Sequence, residues 1–344
     1  MGVETSKDEH FIAFRDRLRR FEQAYHRDYP CFKTDPLARF LIDVGRWSPM
    51  KGAVWGFAVV CLTYVIGISI HWISGREVAG ITHTFIDVLY DVSLVPVVFG
   101  YYIWISTRPA YLFLKLGEHN IAPGGEKTYQ AFVTTSLGVI HHRRIHALSL
   151  LTTLALVFYH IHGAAAGSGP WGSETVIYTF YYAIKVPFTW MFAWYMTGVI
   201  VLKAVMSVWR FRILLRQWFF RLSPGARDAF GGLKPLIDFT AVSFYFIVAC
   251  GFGLCLLVAR GLTLGYFRKD MLVHISLMLY VALSFLFVYL SLQPIQRLIE
   301  KTKKRIGQRL ERYGIPLPSL FTVKTVCRFA CFTLAPVLLF FLLF

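Results

Sequence analysis

Residues 83–105 read HTFIDVLYDVSLVPVVFGYYIWI, a run without Lys, Arg or Glu that carries His83, Asp87 and Asp91 at steps of four. An α-helix needs ~20 predominantly apolar residues to cross a hydrocarbon layer ~30 Å thick. Steps of four set the three polar groups on one face of that helix. Ionisable side chains are too costly to leave against lipid, so this face turns toward other helices. The stretch thus predicts one span of an all-α, polytopic membrane bundle.

Similar apolar runs predict further spans at 53–73, 146–164, 176–202, 237–259, 271–292 and 322–344, about seven in all. The 344 residues are 56% hydrophobic and 16% charged, against roughly 45–50% and about 25% in a soluble domain. Most of the surface therefore faces lipid. The net charge of +17 is concentrated in 1–51, 107–145, 203–236 and 293–328, which lie on one side if the spans alternate. By the positive-inside rule these segments are cytoplasmic, as is the amino terminus, in a multi-pass protein of the cell membrane. Basic charge beside spans meets anionic headgroups of the lipid bilayer, so nucleic acid is not the expected partner. The polar start MGVETSKDEHF predicts no cleavable signal peptide.

Two regions follow. Residues 1–50 form a cytoplasmic segment, in which Phe11, Phe14, Leu18, Phe21 and Tyr25 make one apolar stripe on an amphipathic helix. Residues 51–344 form the seven-span domain. After span four, KAVMSVWRFRILLRQWFFRL (203–222) meets no breaker before Ser223-Pro224-Gly225, and Gly231-Gly232 marks a turn. After span six, IQRLIEKTKKRIGQRLERYG (295–314) keeps a helical pattern. These extensions, 203–236 and 293–320, predict a cytoplasmic helical layer. Cys61, Cys250, Cys255, Cys327 and Cys331 lie in or near spans and read as small hydrophobes, with no disulfide expected.

The candidate site draws on several spans. Asp91 lies about 12 Å down span two and Lys185 about 13 Å down span four, at ~1.5 Å per residue. At a shared depth the two can pair, which lowers the cost of both charges. With His83, Asp87, His160 and His274 they outline a polar ligand pocket in the outer half of the bundle, suited to a small molecule or ion. His146 and His160, thirteen residues apart, resemble one helix of the di-haem cytochrome b and ferric reductase bundles. A second helix with a matching pair is missing. What remains of that idea is a single haem b held by His160 with His83 or His274. The cluster His141-His142…His146, beside Arg143 and Arg144, reads as a solvated patch at headgroup level. No P-loop, Rossmann glycine run or Gly-x-Ser-x-Gly is present, which argues against a soluble enzyme module. The leading reading has no cofactor and no metal.

Seven spans, an inside amino terminus, short outer loops, inner helical extensions and a last helix ending outside together form a plan that resembles the insect odorant and gustatory receptors. The resemblance is one of topology across the whole chain. It implies a homotetrameric ligand-gated channel with the last span at the pore, an inner layer holding the tetramer and a ligand pocket in the outer half. The last span here, CRFACFTLAPVLLFFLLF (327–344), lacks that family's Thr-Tyr pair, and no functional residue carries over by motif. The leading expectation is a homo-oligomeric channel or receptor-channel. The alternatives are a membrane haem oxidoreductase and a proton-coupled transporter using Asp87, Asp91 and Lys185.

Overall fold

The computed structural model describes residues 35–73, 81–165, 189–223, 230–263, 271–312 and 319–343. A helical turn, Pro36–Ala38, runs into a π-helical turn, Arg39–Val44, and leads to the bundle. The bundle helices are α1 Pro49–Ile73, α2 Ile81–His119, α3 Glu126–Ile140, α4 Arg143–Ala165, α5 Met191–Leu214, α6 Lys234–Thr263, α7 Met271–Arg312 and α8 Val323–Leu343. Among the described residues the only β-type pairing is one isolated bridge, between Ile121 and Phe220.

Six stretches are long and apolar enough to cross a membrane: Pro49–Ser69, Val88–Glu118, Met191–Leu214, Lys234–Leu256, Leu277–Lys304 and Lys324–Phe341. They overlap six of the seven expected spans, the fourth only over 191–202. The remaining one, 146–164, falls on α4, a helix of 23 residues whose side chains are described only as far as Phe158. The chain has the make-up of an integral membrane protein.

Burial ranks the helices. In α2 and α6 half of the apolar window is buried by the rest of the chain, against 17% in α8. Accordingly α2 packs against α1, α3, α5 and α6, whereas α4 is held by α5, and α8 by α6 and α7. The contact of α1 with α2 is close because small residues line it. A Cβ added at Gly56 would lie 3.0 Å from Pro96 Cα, and one at Gly100 would lie 2.9 Å from Pro49 O. In lipid, where helices gain little from hiding apolar surface, such close backbone approach is a main source of association. Spare hydroxyls bond back to their own helix, as Thr63 does to Val59 O (2.8 Å) and Ser284 to Tyr280 O (2.7 Å).

The extensions differ in part from the expectation. Helix α7 continues through Pro294 to Arg312, as its pattern predicted, and its 42 residues span roughly 63 Å at ~1.5 Å each. Of the other expected extension, 203–214 is helical as the end of α5, and α2 is long as well. Helix α2 runs 39 residues to His119 despite Pro96 and Pro109, because Leu112, Phe113 and Leu116 beyond Pro109 are fully buried. Helix α5 stops at Leu214, although 203–222 contains no breaker. There the chain turns so that Phe219 and Phe220 enter the core and Ala122 N donates to Phe219 O (2.8 Å). Tertiary burial overrides local helix propensity here. The glycine turn is as expected, with Gly231 at φ +64° and Gly232 at φ +89°, a region that glycine enters without a Cβ penalty.

Candidate functional site

Two buried polar clusters occupy the bundle, one at Tyr102 and Ser106 near the middle of α2 and one at Asp91 nearer its start. The first is built around Asp35, which precedes the first span. Asp35 opens the lead-in turn as its cap: Oδ1 accepts from Ala38 N (3.0 Å), with Pro36 next in the chain. A short acceptor before a proline suits a helix start. The turn inserts this carboxylate among α2, α4 and α5, where it has no exposed surface. Tyr102 of α2 donates its hydroxyl to both carboxylate oxygens (2.6 and 2.5 Å). Lys203 Nζ of α5 stands 3.3 Å from Oδ2 and donates to Ser106 Oγ at 3.0 Å. His146 Nδ1 of α4 lies 3.5 Å from Asp35 Oδ2 and 3.1 Å from the Tyr195 hydroxyl.

Burial alone would raise the Asp35 pKa. The Lys203 ammonium, then His146, then the bonds from Tyr102 and Ala38 outweigh it and hold the carboxyl below its usual range. Asp35 is therefore ionised and matched by a fully buried lysine. Beside a carboxylate, an imidazole favours the tautomer with its proton on Nδ1. That leaves the lone pair at His146 Nε2, which is buried and has no hydrogen-bond partner among the described residues. The cluster thus holds one charge pair, with an unpartnered imidazole nitrogen beside it.

The second cluster surrounds Asp91 on α2, about 16 Å from Tyr102 at ~1.5 Å per residue. Asp91 is buried and accepts from Tyr64 of α1 (2.8 Å) and from Trp190 Nε1 (3.1 Å), which precedes α5. Beside these groups the Thr63 and Thr189 hydroxyls lie 3.1 Å apart. The two bonds to Asp91 tie α1 and the residue before α5 to α2.

The structure places the other candidates as follows. His83 and Asp87 lie on α2 and His160 on α4, but their side chains are outside the described residues, and Lys185 is outside them altogether. His274 is exposed near the start of α7, its ring 6.3 Å from that of Phe341 on α8. The histidines at 141–146 need a correction. His142 is exposed, as a solvated patch requires, but His141 and His146 are 1% and 7% exposed. Burial, followed by the charges of Lys203 and His146, pushes the His141 pKa far below its usual value, so it is neutral. His146 does have partners at its depth, Asp35 and Tyr195, which the spacing of histidines could not reveal.

Asp35 and Lys203 were missed for related reasons. Asp35 lies in the polar segment ahead of the first expected span and Lys203 just past the end of the fourth, places where charges are usually solvated. One signal was available for Lys203. It is flanked by TGVIVL and AVMSVW (197–202 and 204–209), apolar on both sides. Among the described residues no three His, Cys, Asp or Glu side chains stand together as a metal site. No family model, no curated protein and no solved structure matches the chain.

Proposed function

We propose that the chain is one subunit of a homo-oligomeric membrane channel or receptor-channel, with the last helix at the boundary between subunits. The observation that carries this is the contrast between α8 and the centre of the protomer. Between α2 and α5 the interior is filled by fully buried side chains, among them Tyr102, Ile103 and Met196. Helix α8 packs on α6 and α7 only along one side and leaves Phe332, Leu338 and Phe341 exposed. A conducting path therefore fits better between copies, beside α8, than through a single copy. With so apolar a lining, such a path would gate by wetting and dewetting.

Two native thiols supply the test. Cys327 and Cys331 are exposed on α8 and, four residues apart, share a face. Mild oxidation of the purified protein should give cross-linked species on denaturing gels. Cys327→Ser/Cys331→Ser should abolish them, and a native mass should be a multiple of the protomer. A monomeric mass together with electrically silent bilayers contradicts the reading.

A second reading, a proton-coupled transporter, draws on the Asp35–Lys203–His146 cluster, since ionisable groups buried between spans often form proton relays. In that case Asp35→Asn should abolish pH-driven uptake in proteoliposomes while the protein still elutes as a single folded species.

A further inference from the structure

At the basic end of the bundle the chain forms a cleft of about 650 Å³ between the turn after α5 and the extension of α7. One wall carries Arg216 and Arg221, and the other carries Arg297 and Lys301. All four are exposed. Among the described residues no acidic side chain lines the cleft, and none of the four cations pairs with a described carboxylate. The nearest acid on this face of α7, Glu300, borders a neighbouring hollow and accepts from Gln296 Nε2 (2.7 Å). Four like charges facing one space repel one another, so the arrangement is relieved by an anion.

Both walls are firmly built. Asn120 donates to Arg221 O (2.9 Å) and to Gly231 O (2.7 Å), while Arg221 N donates back to Asn120 O (2.8 Å). Gly232 permits this knot, since a Cβ there would lie 2.3 Å from Asn120 Oδ1. On the other wall, Gln293, Arg297 and Lys301 recur every four residues and share one face of α7. Trp218 lines the cleft and is 63% exposed, and tryptophan favours the headgroup level of a bilayer. The volume is within the range of small-molecule sites, about 300–1,000 Å³.

We infer that this cleft binds a compact group bearing several phosphates, supplied either by a membrane lipid headgroup or by its soluble counterpart. Arginine engages phosphate through paired N–H donors, and basic pockets on the cytoplasmic side of membrane bundles suit such headgroups. The site is separate from both buried carboxylate clusters and does not depend on the channel reading.

The experiment uses the full chain in detergent with a short-chain fluorescent phosphatidylinositol bisphosphate as probe, followed by anisotropy. Saturable binding is expected. It should weaken at least tenfold in Arg297→Gln/Lys301→Gln and change less than twofold in Arg143→Gln/Arg144→Gln, which removes equal charge from exposed positions outside the cleft. Competition by soluble inositol trisphosphate at similar concentration assigns the site to the phosphate group itself, whatever carries it. Binding of the lipid without such competition assigns it to the membrane-borne form. Both support the inference. Non-saturable binding, or an equal loss in the two double variants, overturns it. Exposed glutamines should leave the melting temperature unchanged, so a loss of binding is not a loss of fold.

Discussion

The two buried carboxylates of this bundle are held in different ways. Asp91 sits within an apolar span and is bound by neutral donors from adjacent parts of the bundle, Tyr64 and Trp190. Asp35 comes from outside the bundle and is held by a cation, Lys203, with Tyr102 and a histidine around it. The first arrangement stitches spans together. The second fastens the segment that precedes the spans into the basic end of the bundle. A buried charge with a charged partner depends strongly on that partner, because removing one member leaves the other uncompensated.

The largest effect should follow from the cation. Lys203→Met leaves Asp35 fully buried without its cation, a loss of about 3–5 kcal/mol, read as a fall in unfolding midpoint in detergent. Asp91→Asn keeps an acceptor for Tyr64 and Trp190 and should cost less, about 1.5–3 kcal/mol. If Asp91→Asn proves the more damaging, the contrast between the two clusters is wrong. Gly56→Leu sharpens it. The new side chain meets Pro96 and Phe99 at 3.0–3.1 Å, which pushes α1 from α2 at a cost of about 1–3 kcal/mol. It also displaces Tyr64, so Asp91→Asn should cost less in that background, whereas Lys203→Met should cost the same.

The smallest effects should appear in the pH profile. His141 has a depressed pKa in the fold, so unfolding takes up a proton there. Its contribution is complete above its ordinary value of 6.5 and is lost progressively as the pH falls below it. Asp35 is depressed as well, so its contribution persists to lower pH and falls away only below the ordinary carboxylate value of 3.8. The melting temperature should therefore decline in two stages, and Asp35→Asn should remove only the second. A single decline below pH 4 would show that His141 is solvated.

How much the sequence told depends on where each residue sits relative to an apolar run. Helices stood out wherever that run was long, and Asp91 stood out because it interrupts one. Lys203 stands just past the end of an expected span, with Arg210 and Arg212 following, which makes it look like a solvated flanking charge. Only the packing of α5 against α2 and α4 shows that it is interior. Asp35 lies 168 residues from Lys203 and 67 from Tyr102, separations at which no local pattern operates. The ends of the helices also followed packing over propensity. Helix α2 continued past Pro109 because Leu112, Phe113 and Leu116 had a core to enter, and α5 ended early because Phe219 and Phe220 did.

A double-mutant cycle on Asp35 and Lys203 probes the fastening of the lead-in segment most directly. Unfolding free energies of Asp35→Asn, Lys203→Met and the double variant would be compared with the parent chain. If the two groups form a buried pair, each single change is costly and the double variant is more stable than the sum of the two losses implies, with a coupling of about 2 kcal/mol or more. Losses that simply add would mean that the two side chains do not sense each other, and that Asp35 is not seated in the bundle.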